Sequence, residues 1–260
     1  MAGNRRIGMV LQARDRQLLE EIGVMRVADR DQALAAGGFS SVTRVNARLL
    51  ALTRAGLLRR FFLGASGAQQ KALYTLSSSG AQLIGAAHRG LQRRKDESSM
   101  GGAFVEHQLA LNGVYCALKF GKIPVPGVSF QRWLSFDVPL APALLPDGYV
   151  ELGIPRGLLA AFLEVDLGTE RSAIWEGKVR RYIQFAISGD CERRFHQDRF
   201  RVLVVLNSER RMQSVRTTIA PITEKIFWFS ILDRVRDGFF HKVWLRPAGD
   251  EPVALIQELP

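Results

Sequence analysis

Three carboxylates and a set of arginines are the residues of this chain whose types and spacing suit chemistry. Asp147 follows a proline, sixteen residues lie between it and Glu164, and Asp166 stands two further on. Side chains two apart on a strand share a face. Glu164 and Asp166 close the run Leu158-Leu159-Ala160-Ala161-Phe162-Leu163, where charges are costly unless they bind something or reach water. Convergent carboxylates are hard oxygen donors that suit Mg²⁺ or Mn²⁺. Such an ion lowers the pKa of a bound water and clamps a phosphate oxygen. Asp147 and Glu164 are the expected metal ligands. The second chemistry is recognition. Arg44 and Arg48 are one helical turn apart, Ser41 precedes them, and Arg59, Arg60 and Lys71 follow. Arginine can read guanine edges in a major groove, and basic side chains grip phosphates.

The elements that must position the basic residues read clearly. Arg14–Gly23 is a helix with Leu18, Leu19 and Ile22 on one face. Asp29 caps a short helix, Arg30–Ala36, which Gly37-Gly38 stops. Ser40 caps a third helix running to about Ala55, with Val42, Val45, Leu49 and Leu52 as its core stripe and Ser41, Arg44 and Arg48 opposite. Leu57–Leu63 and Ala72–Leu76 form a hairpin around a tip at 64–71, and Ser77 starts a fourth helix, Ser79–Ala87. Helix, helix, basic helix, hairpin, helix is the order of a winged helix-turn-helix. Arg59, Arg60 and Lys71 would touch phosphate from the wing.

A charged, then Ser- and Gly-rich stretch at 89–102 separates this domain (10–88) from a second one (103–260). The second reads as a helix, Ala103–Phe120, with Phe104, Leu111, Val114, Tyr115 and Leu118 facing a core. Strands follow at Val128–Leu134, near Ser135–Val138, at Tyr149–Leu152 and at Leu158–Val165. Then come a helix at Ala173–Ile187, a strand at Arg201–Leu206, a helix at Ser208–Ile219, and closing strands at Ile226–Leu232 and Lys242–Leu245. Strand, helix, strand predicts a parallel pairing inside a mixed sheet. The fold class is α/β, α+β over the whole chain.

Bulk composition narrows the partners. Residues 1–90 hold 13 Lys and Arg against 5 Asp and Glu, and residues 91–260 hold 23 against 20. The smaller part carries most of the net +11, which points to double-stranded DNA through counterion release. An acidic membrane is disfavoured, because the basic residues do not line an apolar amphipathic helix. No apolar run reaches a membrane span and 1–10 does not suit a signal peptide, so a soluble, cytoplasmic chain is expected. Cys116 and Cys191 lack ligand spacing and read as buried thiols.

Several segments resemble the replication-relaxation proteins over roughly residues 10–210. These are Arg14-Asp15-Arg16-Gln17-Leu18-Leu19, Asp31-Gln32-Ala33-Leu34, Arg48 to Leu58, Tyr74-Thr75-Leu76, Glu106 to Asn112, and Phe162 to Glu170, with Lys178 and Tyr182 beyond. The resemblance implies a role with plasmids and other mobile elements, in replication and DNA relaxation. The second domain is also similar to the PD-(D/E)XK nucleases, which implies a restriction-endonuclease-like sheet. Pro146-Asp147 matches their first motif, and Glu164-Val165-Asp166 matches the second in position. The departure is Asp166, where those nucleases carry a lysine that orients water or stabilises negative charge. Lys178 is the candidate for a replacement amine, and Glu106 for an added carboxylate. A domain that kept its shape and lost its chemistry would instead pair Glu164 and Asp166 with arginines such as Arg180 or Arg181. His107 reads as structural, and Thr169 as a cap for the helix near Arg171.

The reading is a sequence-specific DNA-binding protein of a mobile element with a nuclease-like second domain. Its competitors are a Mg²⁺- or Mn²⁺-dependent endonuclease or nickase, a transcription regulator that dimerises through the second domain, and an adaptor at a replication or transfer complex. A homodimer and replication or transfer proteins are the further candidate partners.

Overall fold

A computed structural model describes residues 10–63, 70–88, 102–168 and 170–256. The expected hairpin tip, the linker with its basic run at 93–95, and Thr169 lie wholly or mostly outside them. The chain divides into two compact units, Met1–Asn112 and Gly113–Pro260. The division falls inside a long helix, beyond the stretch expected as a linker. No helix among the described residues is long and apolar enough to cross a membrane.

The first unit runs α1 (Ala13–Met25), β1 (Ala28–Asp29), α2 (Arg30–Ala36), α3 (Val42–Arg54), β2 (Leu58–Leu63), β3 (Lys71–Leu76), α4 (Ser78–Ile84) and the first turns of α5 (Gly102–Lys119). Leu18, Leu19 and Ile22 of α1 and Val45, Leu49 and Leu52 of α3 are buried. Asp29 accepts from the Gln32 backbone N–H at 2.8 Å, and the Gln32 side chain returns to the Asp29 N–H. That capping box fixes the start of α2 and is worth on the order of 1 kcal/mol. Ser41, not Ser40, caps α3, accepting from the Arg44 N–H. The helix therefore starts one residue later than expected, and Val42 is left 41% exposed. Gly56, at φ 75°, ends it in a conformation that suits glycine.

The hairpin β2–β3 pairs from Leu58↔Leu76 to Leu63↔Lys71. The two-residue β1 adds to β3, so the sheet order is β1-β3-β2. So short a strand leaves no alternation to read. Early in α5, Val105 and Leu109 pack on Val27 and Leu73. Asn112 donates to the Met25 and Val27 carbonyls, and Gln32 donates to the Leu109 carbonyl. Phe104, expected in a core, is 47% exposed, and its neighbour Val105 is buried instead.

The second unit continues with β4 (Ser129–Leu134), β5 (Gly148–Ile154), β6 (Gly157–Asp166), α6 (Ser172–Ile187), α7 (Asp190–Phe195), β7 (Arg201–Leu206), α8 (Glu209–Ile219), β8 (Phe227–Ile231), α9 (Leu232–Gly238), β9 (Lys242–Trp244) and β10 (Val253–Ala254). Five strands form one mixed sheet in the order β4-β5-β6-β7-β8. The first three make an antiparallel meander, and β6, β7 and β8 are parallel. The apolar strands β6 and β7 are central and covered, as parallel strands must be. The segment near Ser135–Val138 is not a strand. α6, α7 and α8 close one face over a core that includes Phe162, Trp175, Tyr182, Phe185, Phe195 and Phe200.

Candidate functional site

The carboxylates sit at the C-terminal end of β6, and α6 brings the groups that meet them. Trp175, Lys178 and Tyr182 are three and four residues apart, so one face of α6 presents all three. Glu164 is 1% exposed. Its Oε2 accepts from Lys178 Nζ at 2.7 Å and its Oε1 from the Tyr182 hydroxyl at 2.7 Å. Lys178 also donates to Glu170 at 2.7 Å. Burial pushes the Glu164 carboxyl up to about 7, against the pull of Lys178 and with a further push from the Asp147 charge. Burial alone would lower the Lys178 ammonium, but Glu164 and Glu170 outweigh it and raise it above its ordinary value. Burial and the neighbouring Glu164 charge raise the Tyr182 hydroxyl too.

Asp166 does a different job from its neighbour two residues back. Its Oδ2 accepts from Trp175 Nε1 at 2.9 Å and from Arg211 at 2.6 and 3.0 Å, and its Oδ1 from the Gly168 N–H at 2.7 Å. Burial pushes this carboxyl up, but those donors outweigh it and hold it below the usual range. Arg211 lies in the first turn of α8 and also donates to the Glu170 carbonyl. Asp166 thus ties β6, the loop at Gly168, α6 and α8 together. The arginines expected to pair with these carboxylates, Arg180 and Arg181, are not the partners found. Lys178 and Arg211 are.

Asp147 lies at the entrance to β5, where the register places it beside Glu164. Its Oδ2 accepts from the Val165 N–H at 2.7 Å, and its own N–H donates to the Leu163 carbonyl. Glu106 is exposed on α5 in the first unit. Among the described residues, no three His, Cys, Asp or Glu side chains gather as metal ligands. Both Glu164 oxygens and one Asp147 oxygen are already bonded to protein donors. A divalent cation here would share Glu164 with Lys178 and Tyr182, and Asp147 with the Val165 N–H.

The basic residues of the first unit divide into two groups. Arg44 is exposed on α3, its guanidinium donating to the Ser40 hydroxyl at 2.9 Å. Arg59 and Arg60 are exposed on β2, and Arg60 lies 5.2 Å from the Phe62 ring centroid. Arg48, expected beside Arg44, turns inward instead. Its Nε donates to Asp15 at 2.5 Å, a second nitrogen pairs with the same carboxylate, and it also donates to the Val10 carbonyl. Asp15 is fully buried, and its bonds to Arg48 and the Gln12 N–H outweigh burial to hold its pKa low. A signal was present: Asp15, Leu18, Leu19 and Ile22 form one stripe of α1, so Asp15 had to face inward and find a partner. Ser41 serves as the helix cap. Lys71 pairs with Asp29 at 2.5 Å while staying half exposed. Asn46, passed over in the sequence, is exposed on α3 with Thr43 and Ala47. Asparagine can bond adenine through two groups at once.

A family model described as Replication-relaxation matches residues 19–197. No curated protein and no solved structure matches the chain.

Proposed function

Because the chain belongs to the replication-relaxation family, we propose that it is a sequence-specific DNA-binding protein acting in the replication or relaxation of a plasmid or other mobile element. In this reading the first unit is a winged helix-turn-helix. α3 enters the major groove, and the β2–β3 hairpin is the wing. The observation that carries it is the outward side of α3, where Arg44 stands exposed with Thr43 and Ala47 on a helix whose other side buries Val45, Leu49 and Leu52. Arg44 reads a base edge, while Arg59, Arg60 and Lys71 hold phosphates. Arg48 fixes the angle of α3 against α1 through Asp15.

The second unit is read as a nuclease-like core that serves as a scaffold. A helix, an antiparallel meander, a crossover helix and a parallel strand are the order expected of a PD-(D/E)XK domain, and Asp147 and Glu164 occupy its two motif positions. Lys178 and Arg211 neutralise the carboxylates from within, so the core is held without a metal. One observation favours a second reading, a Mg²⁺- or Mn²⁺-dependent endonuclease. The Lys178 amine stands 2.7 Å from Glu164 and supplies, from a helix, the charge that Asp166 lacks.

Fluorescence anisotropy with duplex DNA from the element tests the first reading. Wild type should prefer one site over a scrambled duplex, and Arg44→Ala should lose about 1–3 kcal/mol of that preference. Equal affinity of wild type for both duplexes would sink it.

A further inference from the structure

At the end of the parallel strands opposite the carboxylate cluster, the second unit holds a cavity of about 770 Å³. Its apolar wall includes Leu158, Phe200 and Ile226, and Arg201 and Arg246 line it together with Lys225 at the exposed rim. Arg201 opens β7, and Arg246 follows β9. Both guanidinium carbons lie 4.5 Å from the ring centroid of one residue, Trp228 of β8. Among the described residues their guanidinium groups bond only backbone carbonyls: Arg201 donates to Leu255, and Arg246 donates to Glu224 and Lys225. The lining also includes Asp198 and Glu224. Asp198 is paired with the exposed Arg199 at 3.6 Å. Among the described residues neither Arg201 nor Arg246 has an ion pair with a carboxylate. Burial, and then the neighbouring Arg246, push the Arg201 guanidinium down to about 10.

Two half-buried like charges with no counter-charge are unfavourable by themselves. A protein gains from such a pair when a ligand brings the missing negative charge, and guanidinium forks match phosphate oxygens. The wall beside them is apolar and roomy enough for a planar or aliphatic body. We propose that this cavity is a phosphate site that takes a phosphate group carried on an apolar or planar body, the chemistry of a nucleotide. Arg201 and Arg246 bind the phosphate, Lys225 draws it in from the rim, and Leu158, Phe200 and Ile226 receive the body. Two sources carry that chemistry, a free nucleotide and the terminal phosphate of a DNA strand. Every lining residue belongs to the second unit, so the proposal does not depend on the reading of α3.

The test is calorimetric titration of the full chain at fixed ionic strength, first with sodium phosphate against sodium chloride, then with deoxyadenosine 5′-monophosphate. Saturable one-to-one binding is expected with both phosphate ligands, and at least tenfold weaker binding in Arg201→Gln and in Arg246→Gln. Arg194→Ala, an exposed arginine of α7 outside the cavity lining, should bind as wild type does. Lys225→Ala, at the exposed rim, should weaken binding severalfold and keeps the test decisive if either arginine variant does not fold. A 5′-phosphorylated single strand that binds better than its unphosphorylated twin, in an Arg201-dependent way, would assign the site to DNA ends. The mononucleotide binding at least as well as that strand would assign it to a free nucleotide. No saturable uptake by wild type, or uptake unchanged in the folded variants, would overturn the proposal.

Discussion

Replacing Glu164 with glutamine should remove a loss of stability that wild type undergoes as pH rises towards neutral, although Glu164 holds two short hydrogen bonds. The reason lies in its burial. In the fold its carboxyl keeps its proton up to about pH 7, against an ordinary value of 4.5. Between those pH values the folded state binds more protons than the unfolded chain, so stability falls as pH rises and levels off above about 7. At about 1.4 kcal/mol per pH unit, the rise from 4.5 to about 7 corresponds to about 3 kcal/mol. Glutamine keeps the shape, still offers an oxygen to Tyr182 or Lys178, and does not ionise. Urea unfolding of both proteins, followed by circular dichroism from pH 4.5 to 8, reads the difference directly. Wild type should lose on the order of 3 kcal/mol relative to Glu164→Gln across that range. A constant difference at every pH would refute the reasoning, because Glu164 would then titrate alike in both states.

Three further outcomes follow from the same contacts. Arg48→Ala should cost about 3 kcal/mol of unfolding free energy by stranding the buried Asp15, whereas Arg44→Ala should change stability by less than about 0.5 kcal/mol. Equal losses in denaturant melts would show that the two arginines had been wrongly separated. Asp166→Asn should destabilise the second unit by about 2–3 kcal/mol by leaving Arg211 without its counter-charge, and the near-UV circular dichroism of Trp175 should weaken with it. An unaltered melt would mean that the carboxylate does not tie α6 to α8. Lys71→Ala should weaken binding to every duplex alike and make the salt dependence shallower by roughly one unit of slope. A change in sequence preference instead would take Lys71 out of the wing's phosphate contacts.

Much of this architecture was legible because its signals are local. The cap Asp29, the stop at Gly56, the stripe of Val45, Leu49 and Leu52, and the apolar strands ending at Asp166 and Leu206 each declare themselves within a few residues. The parallel pairing of β6 and β7 follows from strand, helix, strand. What the sequence hid is settled by distant partners. Arg48 looks like a twin of Arg44 until Asp15, 33 positions away, claims it. Asp166 looks like a failed catalytic position until Arg211, 45 positions on, bonds it. Nothing in the spacing of Arg211 announces that contact.

The most direct test is to mix the purified protein with supercoiled DNA of the element under Mg²⁺ and then Mn²⁺, running wild type beside Arg44→Ala and Glu164→Ala. The account predicts that wild type retards the DNA in gels without relaxing or linearising it, and that only Arg44→Ala loses the retardation. Relaxed or linear product from wild type that disappears in Glu164→Ala would contradict it and make the Lys178–Glu164 pair part of a working nuclease.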